Sequence, residues 1–200
     1  MDNKKWGIEH TESDLCHVVL FVSRNKDNNR SGRKIEGFKE RRRAFITDEP
    51  FDSERLKKKF NDFVEEGVAG ETSRFYYSVN ARHVPTVRTK LLHFLIDHPN
   101  FNLSCINGKI AGLAAEADCA AEKRWLFDFD ITELSALDCF LYELCKCAVN
   151  IDAVKRTPNG YAIVTSRGFD CRELLNDYRW RDYVECKKDD MLYIESKTKE

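Results

Sequence analysis

Trp125-Leu126-Phe127-Asp128-Phe129-Asp130-Ile131-Thr132 is the most apolar run in a polar neighbourhood, and it carries two carboxylates. On a strand, successive side chains point to opposite faces. The run then places Trp125, Phe127, Phe129 and Ile131 on one face and Leu126, Asp128 and Asp130 on the other. An apolar face of that size predicts helices packed against it. The opposite face holds two acids about 7 Å apart, at roughly 3.4 Å of rise per residue. Like charges that close, once partly buried, cost free energy unless a cation neutralises them. The pattern predicts either an exposed strand end or a divalent-metal site.

Downstream, Leu134, Leu137, Leu141, Leu144 and Cys145 form a helical stripe over residues 133–147. Two extended runs, 151–157 and 161–166, flank Pro158-Asn159-Gly160, which has the turn chemistry of a hairpin. A short helix is expected around 172–175. Two further extended runs, 183–186 and 191–194, are joined by Lys187-Lys188-Asp189-Asp190 and read as a last hairpin.

Upstream, residues 1–15 are polar, 18–23 read as a buried strand, and 25–34 have loop composition. Arg41-Arg42-Arg43 leads into a second strand at 44–46. Triple arginines are usually a solvated edge, though beside an acidic metal site they would suit phosphates. Asp52 or Ser53 is placed to cap a helix with Leu56, Phe60, Phe63 and Val64 on one face, ended by Gly67 and Gly70. The aromatic run 74–79 predicts a strand. Val84, Val87, Leu91, Phe94 and Leu95 predict an amphipathic helix stopped near Pro99, and the alanine-rich segment 103–122 a further helix. Mixed strands and helices with C-terminal hairpins predict an α+β fold, a central mixed or antiparallel sheet flanked by helices. The 200 residues fit a single domain, with a βα module over 1–100 and the Asp-x-Asp core over 101–200.

Composition narrows the classes. Hydrophobic residues are 42% and charged residues 34%, ordinary for a globular chain, and the formal net charge is −1. Any nucleic-acid contact must therefore come from local basic patches. No apolar run reaches the roughly 20 residues of a membrane span, and no apolar signal core follows the N-terminus, so a cytoplasmic protein without membrane contact is expected. The eight cysteines and five histidines lack zinc spacing, and the cysteines read as small buried hydrophobes, reduced and unpaired. No G-x-G-x-x-G or P-loop run is present.

The order of a D-x-D strand, a helix and a hairpin with a small polar turn resembles the catalytic core of the archaeo-eukaryotic primase (primase-polymerase) superfamily. There, a strand ending in two acids precedes a helix and a hairpin whose second strand carries a Ser-x-His-like phosphate contact. The matching residues here are Phe127-Asp128-Phe129-Asp130 and Thr157-Pro158-Asn159-Gly160-Tyr161-Ala162-Ile163-Val164. The family's histidine falls on Ala162, a departure that implies a divergent or catalytically impaired member. The resemblance covers residues 124–170, extending toward 195. It implies a primase-like, RRM-like core and a Mg²⁺- or Mn²⁺-dependent nucleotidyltransferase of the kind that serves DNA replication. Its partners would be a nucleotide triphosphate and/or nucleic acid.

Two-metal phosphoryl transfer needs carboxylates that bridge two hard cations. Asp128 and Asp130 are suitable ligands, and a third acid is expected from a later strand, Asp189 or Asp190, with Asp190 as the third catalytic acid. The turn Lys-Lys-Asp-Asp also reads simply as solvated. Lys155, Arg156, Ser166 and Arg167 are candidates to pair with phosphates, together with the turn residues Thr157 and Asn159 and position 162. Arg74 and Arg82 are weaker candidates, as arginines on strand edges are mostly solvated.

Two other classes compete. Asp128-Phe129-Asp130-Ile131-Thr132 also resembles the D-x-D-x-T signature of haloacid-dehalogenase-like phosphatases. Asp128 would then be the nucleophile, Asp130 the acid/base, and Thr165 or Ser166 the phosphate ligand. A non-catalytic module would instead use an exposed sheet face, with Tyr76 or Tyr77 stacking on bases. Core packing is the plainer reading of those tyrosines.

Overall fold

The computed structural model describes residues 14–28 and 35–200. The polar start and the second half of the loop expected at 25–34 lie outside them. Two antiparallel sheets organise the chain, the first with helices on both faces and the second with helices on one.

The first sheet contains β1 (Leu15–Ser23), β2 (Arg41–Thr47), β3 (Thr72–Ser78), a short β4 (Arg82–His83) and β9 (Met191–Thr198), in the order β2-β1-β3-β9 with β4 on β1. A single helical turn, α1 (Asn25–Asn28), follows β1. Alternation along β1 divides the sheet's two faces. Val19 and Phe21 join Phe75 and Tyr77 against α2 (Glu54–Glu65), whose stripe Leu56, Phe60, Phe63 and Val64 is buried as its spacing predicts. Ser53 is the N-cap, its hydroxyl accepting from the Leu56 amide at 3.1 Å. On the other face Val18, Ala44, Ile46 and Met191 meet α4 (Ile106–Ala114), which packs beside α3 (Val84–Asp97).

The second sheet contains β5 (Trp125–Phe129), β6 (Ile151–Arg156), β7 (Tyr161–Thr165) and β8 (Val184–Lys187), in the order β6-β7-β5-β8. With α5 (Leu134–Lys146) and α6 (Arg172–Asn176) the chain order is β-α-β-β-α-β, the ferredoxin-like, RRM-like arrangement. Phe127 and Phe129 pack with Ile163 against Leu137, Phe140 and Leu144 of α5 and against Trp180, as the 125–131 alternation predicts. Burial of this aromatic face, at roughly 25 cal/mol per Å² of apolar surface, holds β5 against α5.

The two modules are interleaved, and here the expected boundaries change. Residues 103–119 pack on the first sheet, and so does the last strand. The 187–190 turn does not close a hairpin. β8 pairs with β5, while β9 crosses to β3. The sheets meet through Val79, Leu126, Ala162, Val164 and Leu192. Among the described residues no helix is long and apolar enough to cross a membrane.

Candidate functional site

Beside that junction the inner faces of the two sheets open into a cleft of about 360 Å³. Small-molecule sites span roughly 300–1,000 Å³. One wall is the second sheet. Cross-strand register sets Ala162 of β7 and Glu185 of β8 on either side of Asp128. Asp130 follows β5, its amide bonded to the Tyr183 carbonyl at 2.8 Å, and its carboxyl shares the cleft with that of Asp128. Asp190, one residue before β9, completes the acidic lining. Three of the sequence-predicted acids thus meet in one place, on the face opposite Phe127 and Phe129.

The position of the Asp130 segment depends on the β6–β7 turn. A Cβ at Gly160 would fall 1.9 Å from the Phe129 carbonyl oxygen and 2.8 Å from the Ile131 nitrogen. Only glycine lets the turn lie on the end of β5. Thr157 braces the turn, its hydroxyl accepting from the Gly160 amide at 3.1 Å. Thr157, Pro158 and Asn159 form the rim of the cleft.

The opposite wall is basic and comes from the first sheet. Arg24 and Lys26 follow β1, Arg74 and Tyr76 lie on β3, and Tyr193 on β9. Asp27 ties the two arginines together, accepting from Arg24 Nε at 3.1 Å and from Arg74. The Tyr76 hydroxyl accepts from Arg74 at 3.3 Å. One carboxylate thus fixes two guanidinium groups on the cleft wall, both also donating to the Tyr76 hydroxyl, and guanidinium groups so placed suit an anionic ligand.

Lys187 crosses to the acids. Its ammonium donates to Asp128 Oδ2 at 2.9 Å and lies 3.7 Å from Asp190 Oδ2 and 3.8 Å from Glu185 Oε2. Burial works most strongly against its charge, but Asp128, Asp190 and Glu185 together hold the Lys187 pKa above its ordinary value. The Asp130 carboxyl is pushed up, first by lost hydration and next by the Asp128 charge, while Lys187 and Lys26 pull it back.

Other expected residues lie elsewhere. Asp189, expected as a metal ligand, is gripped bidentately by the buried Arg82 at 2.7 and 2.8 Å, and also accepts from Asn80 Nδ2 at 3.1 Å. Arg82 is therefore a buried structural cation, not a solvated edge. Lys155 shares the inner face but stands two strands from Asp128, about 10 Å at the usual strand spacing. It lies over the Phe51 ring, and burial lowers its pKa. Arg156 donates to the Tyr161 hydroxyl at 3.2 Å on the helix-covered side. Ser166 and Arg167 bind the backbone of Asn150 and Ala148 at 2.9 and 3.1 Å, at the far end of β7. Arg41 and Arg43 of the triple arginine pair with Glu71 and Glu66. Tyr77 is buried, donating to the Glu49 carbonyl oxygen at 2.8 Å, whereas Tyr76 faces the cleft. Arg24 and Lys26, about a hundred residues before Asp128, carried no signal beyond their loop composition.

The donor chemistry suits a hard divalent cation, since carboxylate oxygens are its preferred ligands. Among the described residues, however, no three acid, histidine or cysteine side chains are drawn to ligand spacing, and the cation seated on the acids is the Lys187 ammonium. No family model, curated protein or solved structure matches this chain.

Proposed function

We propose that the cleft binds a nucleoside triphosphate with Mg²⁺ or Mn²⁺ and that the chain is, or descends from, a nucleotidyltransferase of the primase-polymerase kind. The observation that carries this reading is the facing of Asp128, Asp130 and Asp190 against Arg24, Lys26 and Arg74 across one cleft. An acid wall alone suits a cation and a basic wall alone suits an anion. The two together suit a metal-bound polyphosphate, the cation lying between carboxylate and phosphate oxygens.

Asp128 and Asp130 would hold the ion, with Asp190 within reach of the same space. When bound, the ion would polarise phosphoryl oxygens. Arg24 and Arg74, fixed by Asp27, would take phosphate oxygens on the far side, and Tyr76 offers a ring to a base. Ala162 sits on the floor where the family pattern has a phosphate-binding histidine, so that contact is missing and the basic wall would substitute for it. A cytoplasmic setting suits the eight unpaired cysteines.

The phosphatase reading loses its second motif. The Thr165 hydroxyl is buried and donates to the Arg167 carbonyl oxygen at 3.2 Å, and neither it nor Ser166 lines the cleft. The test is thermal melting of wild type and Asp128→Asn with Mn²⁺, with a nucleoside triphosphate, and with both. The proposal expects the wild type to gain most from both together and Asp128→Asn to lose that gain. A wild type indifferent to Mn²⁺ and to nucleotide would overturn it. A metal response with phosphate-monoester hydrolysis and no nucleotide incorporation would also overturn it, in favour of the phosphatase.

A further inference from the structure

Lys187 is the one basic side chain on the acidic wall of the cleft. It projects from β8, an edge strand of its sheet, and reaches diagonally across to Asp128 on the neighbouring β5. Three carboxylates, Asp128, Asp190 and Glu185, lie within 4 Å of its ammonium, at 2.9, 3.7 and 3.8 Å. A surface lysine commonly meets one acid. This one is less than a third exposed and takes up an oxygen of Asp128, a residue the metal reading requires as a ligand.

We infer that the Lys187 ammonium holds the place of one divalent ion in the acid cluster. The inference rests on the metal-dependent reading of the cleft and deepens it. A pair of carboxylates on one strand, with a third acid nearby, is unfavourable unless positive charge stands among them. Two-metal sites meet that need with ions about 3.5–4 Å apart. Here one charge is already supplied covalently, which lets the cluster form without any ion. An ammonium also differs from an ion in what it does next. It is a compact, strongly hydrated point charge on a four-carbon stem with three donors. From its place on Asp128, Lys187 would also offer its remaining donors to a phosphate oxygen in the same cleft, where lysine serves as a point-charge ligand. The site then works with one ion fewer than a two-metal cluster.

Counting bound Mn²⁺ tests this, by titrating the full chain and following the free ion by electron paramagnetic resonance. Wild type is compared with Lys187→Met, which keeps the stem and removes the charge, and with Lys187→Gln as a second neutral variant. Circular dichroism confirms the fold of each. The expected result is one more Mn²⁺ per chain in both neutral variants than in wild type, with Lys187→Arg matching wild type. Equal counts and equal affinities in all the proteins would overturn the inference and leave the metal reading standing. Loss of Mn²⁺ from the neutral variants would overturn it too, since the lysine would then build the site and not occupy it. If neither wild type nor any variant takes up Mn²⁺, the metal reading falls and this inference with it.

Discussion

Asp128 and Asp130 are two residues apart on one face, yet the cleft treats them differently. Asp128 has the Lys187 ammonium at 2.9 Å, whereas Asp130 has no charge-bearing donor bonded to it among the described residues. The Asp130 carboxyl titrates above its ordinary range, because the cleft removes water and Asp128 repels its charge. An acid whose folded pKa exceeds its unfolded one binds more protons folded than unfolded between the two values. Stability then falls as pH rises through that window. Without metal at pH 7, Asp130→Asn is expected to melt at or slightly above wild type. Near pH 3, below the usual aspartate pKa of about 3.9, the advantage should vanish. Asp128→Asn should instead lower stability, by less than about 1 kcal/mol, because the Lys187 pair is about one-third exposed and screened. Melting curves of the three proteins at the two pH values check both statements. Ala162 makes a third case at this scale. It is 3% exposed, among Val79, Leu126, Val164 and Leu192, and directly across from Asp128. Ala162→His overfills that junction at a cost of about 1–3 kcal/mol. On the proposed reading it also restores a phosphate contact. Labelled-nucleotide titration with Mn²⁺ should show tighter binding in a less stable protein, and unchanged affinity would count against the family assignment.

At the scale of elements, what the sequence could reveal follows from how local the cause is. The alternation in 125–131 and the stripe of 134–145 are periodicities of side chains that face one core, so β5, α5 and the inward direction of Asp128 and Asp130 are readable from them. The fate of 183–198 is not local. Lys187-Lys188-Asp189-Asp190 has turn composition whether the flanking strands pair with each other or with separate sheets. The partners that decide, Phe127 for β8 and Tyr77 for β9, lie 50 to 120 residues away. Arg74 of the basic wall is named from the sequence as a weaker candidate, whereas Arg24 and Lys26 are hidden for the same reason, since they belong to a polar turn that only the sheet arrangement brings to the cleft. Lys155, Arg156 and Arg167 follow the Asp-x-Asp strand closely in the chain, but Lys155 stands two strands away on the same face, the pleat turns Arg156 to the helix side, and Arg167 lies past the far end of β7. The Pro-Asn-Gly turn was legible as a hairpin, but the need for glycine at 160 comes from its contact with β5. Gly160→Ala forces the turn off the Phe129 and Ile131 backbone. A cost above about 2 kcal/mol is expected, as for other substitutions that overfill a packed site. Denaturant unfolding measures it. A cost near zero would show that the turn can lift without loss.

At the scale of the whole molecule the cleft exists because the inner faces of the two sheets are held together at their junction, and adjacent aspartates divide that work. Asp189 is bound by both arms of Arg82 and by Asn80, whose side chain also holds Arg124 just before β5 through its amide at 2.9 Å. The 187–190 crossing is thereby tied to β4 of the first sheet and to the entry of the second. Arg82 is 2% exposed, so its charge has no recourse to water if Asp189 is removed. Breaking a buried pair by deleting one partner costs about 3–5 kcal/mol. In a chain of this size each kcal/mol shifts melting by roughly 2–4 °C. Asp189→Ala should therefore lower the melting temperature by about 6 °C or more, Mn²⁺ present or not. Asp190→Ala, one residue on, removes a half-buried acid whose only ion-pair partner among the described residues is Lys187 at 3.7 Å. Its stability should stay within about 1 kcal/mol of wild type, while any Mn²⁺-dependent gain shrinks. Melting both variants with and without Mn²⁺ separates the two roles. Equal destabilisation by the two would mean that the crossing is held by the loop as a whole and that Arg82 does not depend on Asp189. The reverse order would place the structural burden on the cleft itself.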